Sequence, residues 1–259
     1  MPEPTQETRG STAAVLFSGG SDSCLAAIRI GMTHESVHLL TFVRSGISGC
    51  ENVRTQAARL NAFFGRPPET KFELHLIRTD RLCRHVMYEN YLRDLFHHGW
   101  MVLSMCGLCK LSFHWRALVY GLDHGIRRVA DGAVRVAKVY PEQNEAIMVR
   151  RLRALYAAFG IEYLTPIYEE GDRTEQSLFE MRFNRTPRIK GTAADVQVLC
   201  EQQVLYAMFL RAVSAGQPFE EFERRMASYY AEKFDRVEAW TREYVERGPA
   251  SRLARLLEE

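Results

Sequence analysis

The chain has 259 residues, is 46% hydrophobic and 25% charged, and carries a formal net charge of +2, the balance of a soluble globular protein with room for a sizeable core. No apolar run approaches the roughly 20 residues of a membrane span, and the polar stretch 1–11 holds no signal-peptide core and reads as a loose tail, so no membrane partner and a cytoplasmic location are expected. A charge this near neutral neither requires nor forbids a nucleic-acid partner.

From the N-terminus, short apolar runs alternate with helical stretches, the pattern of a parallel sheet wrapped by helices. Strands are predicted over 13–17, 36–43, 72–78, 128–131 and 162–164, and helices over 22–31, 51–64, 81–97, 110–124 and 142–159. Beyond Pro166 the predicted elements are all helices, at 175–183, 196–213, 218–247 and 251–257. The expected fold class is α/β, a parallel five-stranded sheet with helices on both faces plus a C-terminal helical extension. The division is 1–11 tail, 12–168 α/β domain and 169–259 helical region. The loop at 184–191 holds Arg185, Arg188 and Lys190 and reads as a solvated segment. Phe219, Phe222, Tyr229, Tyr230, Phe234, Trp240 and Tyr244 fall at helical spacing and read as core rather than as a base-stacking platform.

The first strand runs directly into Ser18-Gly19-Gly20-Ser21-Asp22-Ser23. A strand, a two-glycine turn and a helix start aim backbone N–H groups and the positive end of a helix dipole at one spot, which makes an anion site. The glycines let the backbone come close to the anion, and Ser18, Ser21 and Ser23 add hydroxyl donors. Asp22 can cap the helix or hold Mg²⁺. No Gly-Lys-Ser/Thr follows, which sets the loop apart from the kinase-type phosphate loop. Ser18, Arg44, Asp80 and Asp131 all follow predicted strand ends, where the ligand crevice of an open α/β sheet lies.

Six cysteines are present, at 24, 50, 83, 106, 109 and 200. In a cytosolic chain they read as buried thiols, metal ligands or catalysts rather than disulfides. Cys24 reads as a packing residue, and Cys50 and Cys83 as structural. Cys106-Gly107-Leu108-Cys109 stands at a predicted helix start, which favours thiolates. A lone CxxC is open to four readings: a zinc half-site, iron–sulfur ligands, a redox dithiol or coincidence. His97, His98 or His114 would be needed to complete a closed zinc site.

The run from Ser18 to Ser23 resembles the SGGxDS signature of the PP-loop ATP pyrophosphatase superfamily. That resemblance implies an adenine nucleotide α-hydrolase-like fold with ATP and Mg²⁺ at Ser18, Gly19, Gly20, Ser21, Asp22 and Ser23. It also implies adenine near Phe42, a crevice lined by Asp131 and Gly132, and a catalytic role for Asp22. Cys106 and Cys109, the following Leu118-Val119-Tyr120-Gly121 and Gly125-Ile126, and the later Leu199-Cys200-Glu201-Gln202-Gln203 resemble the tRNA 2-thiocytidine synthetase group. In that group three cysteines, here Cys106, Cys109 and Cys200, hold a 4Fe-4S cluster with one open iron. The implied reaction is ATP-dependent sulfur insertion, in which a carbonyl oxygen of a nucleobase-type substrate, tRNA or a free small molecule, is adenylated and replaced by sulfur. A sulfur donor system and a homodimer are the partners it implies.

The chain departs from that group at two places. Ser21 stands where the group often has Lys, and the Gly-His-His/Asn…Asp-Asp stretch expected after the strand at Arg128 is absent. Tyr140-Pro141-Glu142 and Thr165-Pro166-Ile167 are more similar to 7-cyano-7-deazaguanine synthase, an amide/nitrile-forming ligase, although its four-cysteine zinc cluster is absent here. Sulfur insertion, ligation with ammonia and nucleotide binding without catalysis therefore stand as three readings.

Overall fold

The computed structural model describes residues 11–45, 47–48, 50–65, 71–135, 144–183, 199–200 and 219–258. Its centre is a five-stranded parallel sheet of β1 (Thr12–Leu16), β2 (Ser36–Val43), β4 (Phe72–Arg78), β5 (Arg128–Ala130) and β6 (Glu162–Leu164), in the order β4-β2-β1-β5-β6. β3 (Ile47–Ser48) and β7 (Leu199–Cys200) form a separate antiparallel ribbon, with Ile47 opposite Cys200.

The helices are α1 (Ser21–Thr33), α2 (Cys50–Phe63), α3 (Asp80–Tyr88), α4 (Tyr91–His98), α5 (Met105–His124), α6 (Arg150–Ala157), α7 (Thr174–Glu180), α8 (Phe219–Arg247) and α9 (Arg252–Leu257). After Thr12, β1 is apolar to its end, because a parallel strand is covered on both faces. Its side chains alternate between two cores. Ala13 and Val15, with Val37 and Leu39 of β2, pack with Leu25, Ile28 and Val53 of α1 and α2. Ala14, with Leu40 and Phe42, packs with Leu82, Trp115, Leu118 and Tyr230 of α3, α5 and α8. The α/β reading with helices on both faces holds.

Several boundaries differ from expectation. The helix predicted over 81–97 is two helices, broken at Glu89 and Asn90, where Asn90 leaves helical geometry (φ −120°, ψ 30°) and its carbonyl accepts from Asp94 N. The helix predicted from 110 begins at Met105, so both CxxC cysteines lie inside it. Within the stretch predicted over 142–159, a π-helical turn at Glu145–Val149 precedes α6, and Asn144 caps it by accepting from Ala146 N and Ile147 N. The helix predicted over 196–213 is replaced, at its two described residues, by strand β7. Val196 and Val198 flank polar Gln197, an alternation that fits a strand as well as a helix turn. The cationic loop at 184–191 and the turn at 140–142 lie outside the described residues. No helix of the described residues is long and apolar enough to cross a membrane.

Candidate active site

In this strand order the chain leaves β1 towards β2 and later returns to place β5 on the other side of β1. The order therefore reverses between β1 and β5, and a doubly wound sheet binds ligands outside the carboxyl ends of its strands at that point. The loop from Ser18 to Ser23 leaves one wall of this crevice, and Asp131-Gly132 leaves the other.

The loop is held by its own hydroxyls. Ser18 N donates to Ser23 Oγ at 3.3 Å, Gly20 N to Ser18 Oγ at 3.4 Å, and Ser23 Oγ to Gly20 O at 3.0 Å. Gly19 has φ +73°, a left-handed conformation that disfavours any side chain. Gly20 occupies the N-cap of α1 and brings no side chain to cap its first turn, and Asp22 sits in that turn. Across the crevice, a Cβ on Gly132 would lie 2.8 Å from both Asp22 C and Ser23 N, so only glycine lets this backbone rest on the start of α1. A carboxylate also reaches the loop, since Ser21 Oγ donates to Glu175 Oε1 of α7. Arg29 of α1 and Ser177 of α7 both donate to Glu170, at 3.1 and 2.9 Å, which docks α7 on α1. Sequence reasoning missed Glu175, because nothing local links it to a loop more than 150 residues away.

Asp131 is buried at the end of β5. Lys110 Nζ lies 2.7 Å from Asp131 Oδ2, His114 Nε2 3.2 Å from the same oxygen, and Ala133 N donates to Oδ1 at 3.0 Å. Burial alone would raise the Asp131 carboxyl; the Lys110 charge, followed by the His114 bond, outweighs it and holds Asp131 well below the usual carboxylate range. Burial lowers His114 despite its bond to Asp131, so it is a neutral imidazole near pH 7, with its other ring nitrogen 3.1 Å from the Tyr156 hydroxyl. His97 bonds to Arg93 O and His98 to Glu232. His97, His98 and His114, the histidines considered for a zinc site with the CxxC, are thus engaged with other partners.

Cys83, Cys106 and Cys109 lie on the face of the sheet covered by α3 and α5. Cys106 and Cys109 stand one turn apart at the start of α5, Cys106 half-buried and Cys109 8% exposed. Arg44, just beyond β2, donates its Nε–H to Cys109 Sγ at 3.3 Å. Cys83 of α3, read from the sequence as structural, adjoins Cys109. Hydrogen bonding between the two thiols draws Cys83 below the usual thiol range and, with burial, pushes Cys109 well above it; the Arg44 charge favours a thiolate on either. No sequence spacing signals this pair; α3 and α5 meet only because each begins at a carboxyl edge of the sheet. Cys200 pairs through its backbone with Ile47, three residues beyond Arg44, and its side chain lies outside what the structure describes, as does that of Cys50.

Phe42 is buried and stacked on Phe113 of α5, ring centroids 5.3 Å apart. Its ring belongs to the core, so only the strand end around it faces the crevice. Asp80, at the start of α3, accepts from Ser45 N at 2.7 Å, and that bond leads the effects lowering its carboxyl. Cys24 is fully buried, as expected of a packing residue. At the carboxyl edge, two thiols one helical turn apart beside a guanidinium are the soft donors that a thiolate-bound metal group takes.

No family model matches the chain, and no curated protein matches it. Among solved structures, it is similar to a predicted subunit of tRNA methyltransferase from Methanocaldococcus jannaschii. The two share 22% identity and a TM-score of 0.41, over 66% of this chain and 74% of that one.

Proposed function

We propose that the chain is an ATP-dependent, AMP- and pyrophosphate-forming sulfurtransferase of the PP-loop type, which replaces a carbonyl oxygen with sulfur in a nucleobase-type substrate, tRNA or a free small molecule. The observation that carries this reading is a direct physical link between two chemistries. Cys109 belongs to a contact group of two thiols and an arginine, and the next residue, Lys110, is ion-paired to Asp131 beside the phosphate-type loop.

In this reading the N–H and hydroxyl groups of Ser18, Gly19, Gly20, Ser21 and Ser23 bind the pyrophosphate end of ATP, with Mg²⁺ near Asp22. Asp131 and Gly132 fix the opposite wall, and the strand end around Phe42 borders the adenine. The substrate oxygen attacks the α-phosphorus, pyrophosphate leaves, and sulfur then attacks the adenylated carbon and expels AMP. Cys106, Cys109 and Cys200 would hold the 4Fe-4S cluster, which when bound supplies sulfide next to the activated carbon. A sulfur donor system is the external partner this chemistry needs. The Cys83–Cys109 contact favours a second route, in which an external persulfide donor passes its outer sulfur to one of these thiols and that sulfur attacks the adenylated carbon and expels AMP; the other thiol then attacks the inner sulfur, releasing the thiolated product as a Cys83–Cys109 disulfide forms, which an external thiol reductant reopens.

The test is anaerobic purification with iron and acid-labile sulfide counts, together with pyrophosphate release from ATP in the presence of unfractionated tRNA or free nucleosides. Iron that disappears in Cys106→Ala, Cys109→Ala and Cys200→Ala but persists in Cys83→Ala supports the cluster. Iron-free protein whose thiolated product is lost in both Cys83→Ala and Cys109→Ala supports the cysteine-bound route. An ammonia-dependent product formed equally by all four variants overturns sulfur insertion in favour of ligation.

A further inference from the structure

At the opposite, amino edge of the sheet lies a group of side chains that the proposed reaction does not use. His38 of β2 and Glu73 of β4 are register partners, and His75 follows two residues after Glu73, beside Leu40. Side chains on a strand alternate faces, so all three residues stand on one face, the face covered by α5. One donor atom from each lies within 4.8 Å of the others.

We propose that His38, Glu73 and His75 form a binding site for a borderline divalent first-row ion, with Zn²⁺ the best match. Two imidazoles and one carboxylate are the donors such an ion prefers; Mg²⁺ and Ca²⁺ take oxygen ligands and iron–sulfur clusters take thiolates. Ligand atoms around tetrahedral zinc stand about 3.3 Å apart, so side-chain rotations of about an ångström close the set. His75 Nε2 is buried and makes no hydrogen bond among the described residues, yet faces Glu73 Oε1 at 3.4 Å. The two imidazoles stack with centroids 4.9 Å apart.

The surroundings complete the argument. His38 Nδ1 lies 2.8 Å from the Tyr120 hydroxyl, a partner that orients the ring and leaves Nε2 for a metal. His124 stacks on Tyr120 with centroids 3.9 Å apart. His38 and His124 both line a groove of about 970 Å³, which gives an ion a path to the site. Three protein ligands leave the fourth position of a tetrahedral ion to water.

The experiment is calorimetric titration of the full chain with Zn²⁺, with Co²⁺ as a spectroscopic probe. One equivalent is expected to bind without thiolate-to-metal absorption in the Co²⁺ form. Its affinity should fall about tenfold or more in Glu73→Gln and in His75→Ala, and by roughly 10–100-fold in Tyr120→Phe, whose role is to position His38. Glu73 is largely solvent-exposed, so Glu73→Gln keeps the fold and its circular dichroism should match the parent. Zn²⁺ binding that is unchanged in Glu73→Gln and His75→Ala, or Co²⁺ binding only with thiolate bands, overturns the proposal and assigns the ion to the cysteines. Neither the variants nor the readout touches the nucleotide loop, so this result is independent of the sulfur-insertion test.

Discussion

Asp131 shows how much one side chain can hold together. Its carboxylate meets Lys110 at 2.7 Å and His114 at 3.2 Å, with side chains only 17% and 0% exposed. Replacing it with Asn leaves the Lys110 charge half-buried without a counter-charge, which is expected to cost about 3–5 kcal/mol. A urea titration checks this as a lowered midpoint at unchanged slope. Because the folded-state pKa of Asp131 is depressed, the stability it contributes is present above the ordinary carboxylate pKa near 4 and is lost only as pH falls below it. His85 is also depressed, which for a base favours the neutral form. Burial, and then the cations Arg236, Lys233 and Arg252, lower it to about 4, although its Nδ1 lies 2.9 Å from Glu89. As pH falls from 6.5 towards 4, the unfolded chain takes up a proton that the folded chain refuses, so stability should decline across that window. In His85→Gln that part of the decline should vanish from a pH series of thermal unfolding curves.

Among the elements, α5 does the most to build the site. It begins at Met105, so the CxxC, Lys110 and His114 are three successive turns of one rigid rod. Its start is pinned by the C-terminal helix: the Tyr230 hydroxyl of α8 donates to Ser104 O at 2.7 Å, and a Cβ on Gly107 would come 2.7 Å from Tyr230 Cζ. Gly107→Ala must therefore push α8 away from the cysteine turn, at a cost of roughly 1–3 kcal/mol. Hydrogen exchange should then speed up in α8 and the first turn of α5; unaltered exchange there would show that the two do not bear on each other. Farther along, Trp115 Nε1 donates to Thr241 Oγ1 at 2.9 Å, a second tie between the same helices.

For the whole molecule, the C-terminal helix belongs to the core of the sheet. Met226, Tyr229, Tyr230, Phe234 and Val237 are buried with Ala14, Leu40 and Trp115 in one cluster. A single cooperative unfolding transition is expected to include α8, rather than a separate step for a C-terminal unit. Lys233 fixes this docking: it is 2% exposed, lies 2.5 Å from Asp94 of α4, and donates to Val86 O of α3 at 3.0 Å. Lys233→Met strands a buried carboxylate and should cost about 3–5 kcal/mol, whereas adding Asp94→Leu should recover most of that loss. A double-mutant cycle by chemical denaturation measures both.

The sequence by itself determined the five sheet strands, the loop after the first, and the place of the CxxC near a helix start. Each is set by local means: unbroken apolar runs, a Gly-Gly turn, and the change from period 2 to period 3.6. It also marked Tyr229, Tyr230 and Phe234 as core by their helical spacing. Only the tertiary structure decided which distant groups meet. Cys83 reaches Cys109, Glu175 reaches Ser21, and Lys110 finds Asp131 because these pairings depend on strand order and on where helices start along one sheet edge. The same holds for His38, Glu73 and His75, which look unrelated along the chain until parallel register sets β2 beside β4. Local propensity fixes elements, but strand order and register carry no local signal, and they decide the chemistry at each edge.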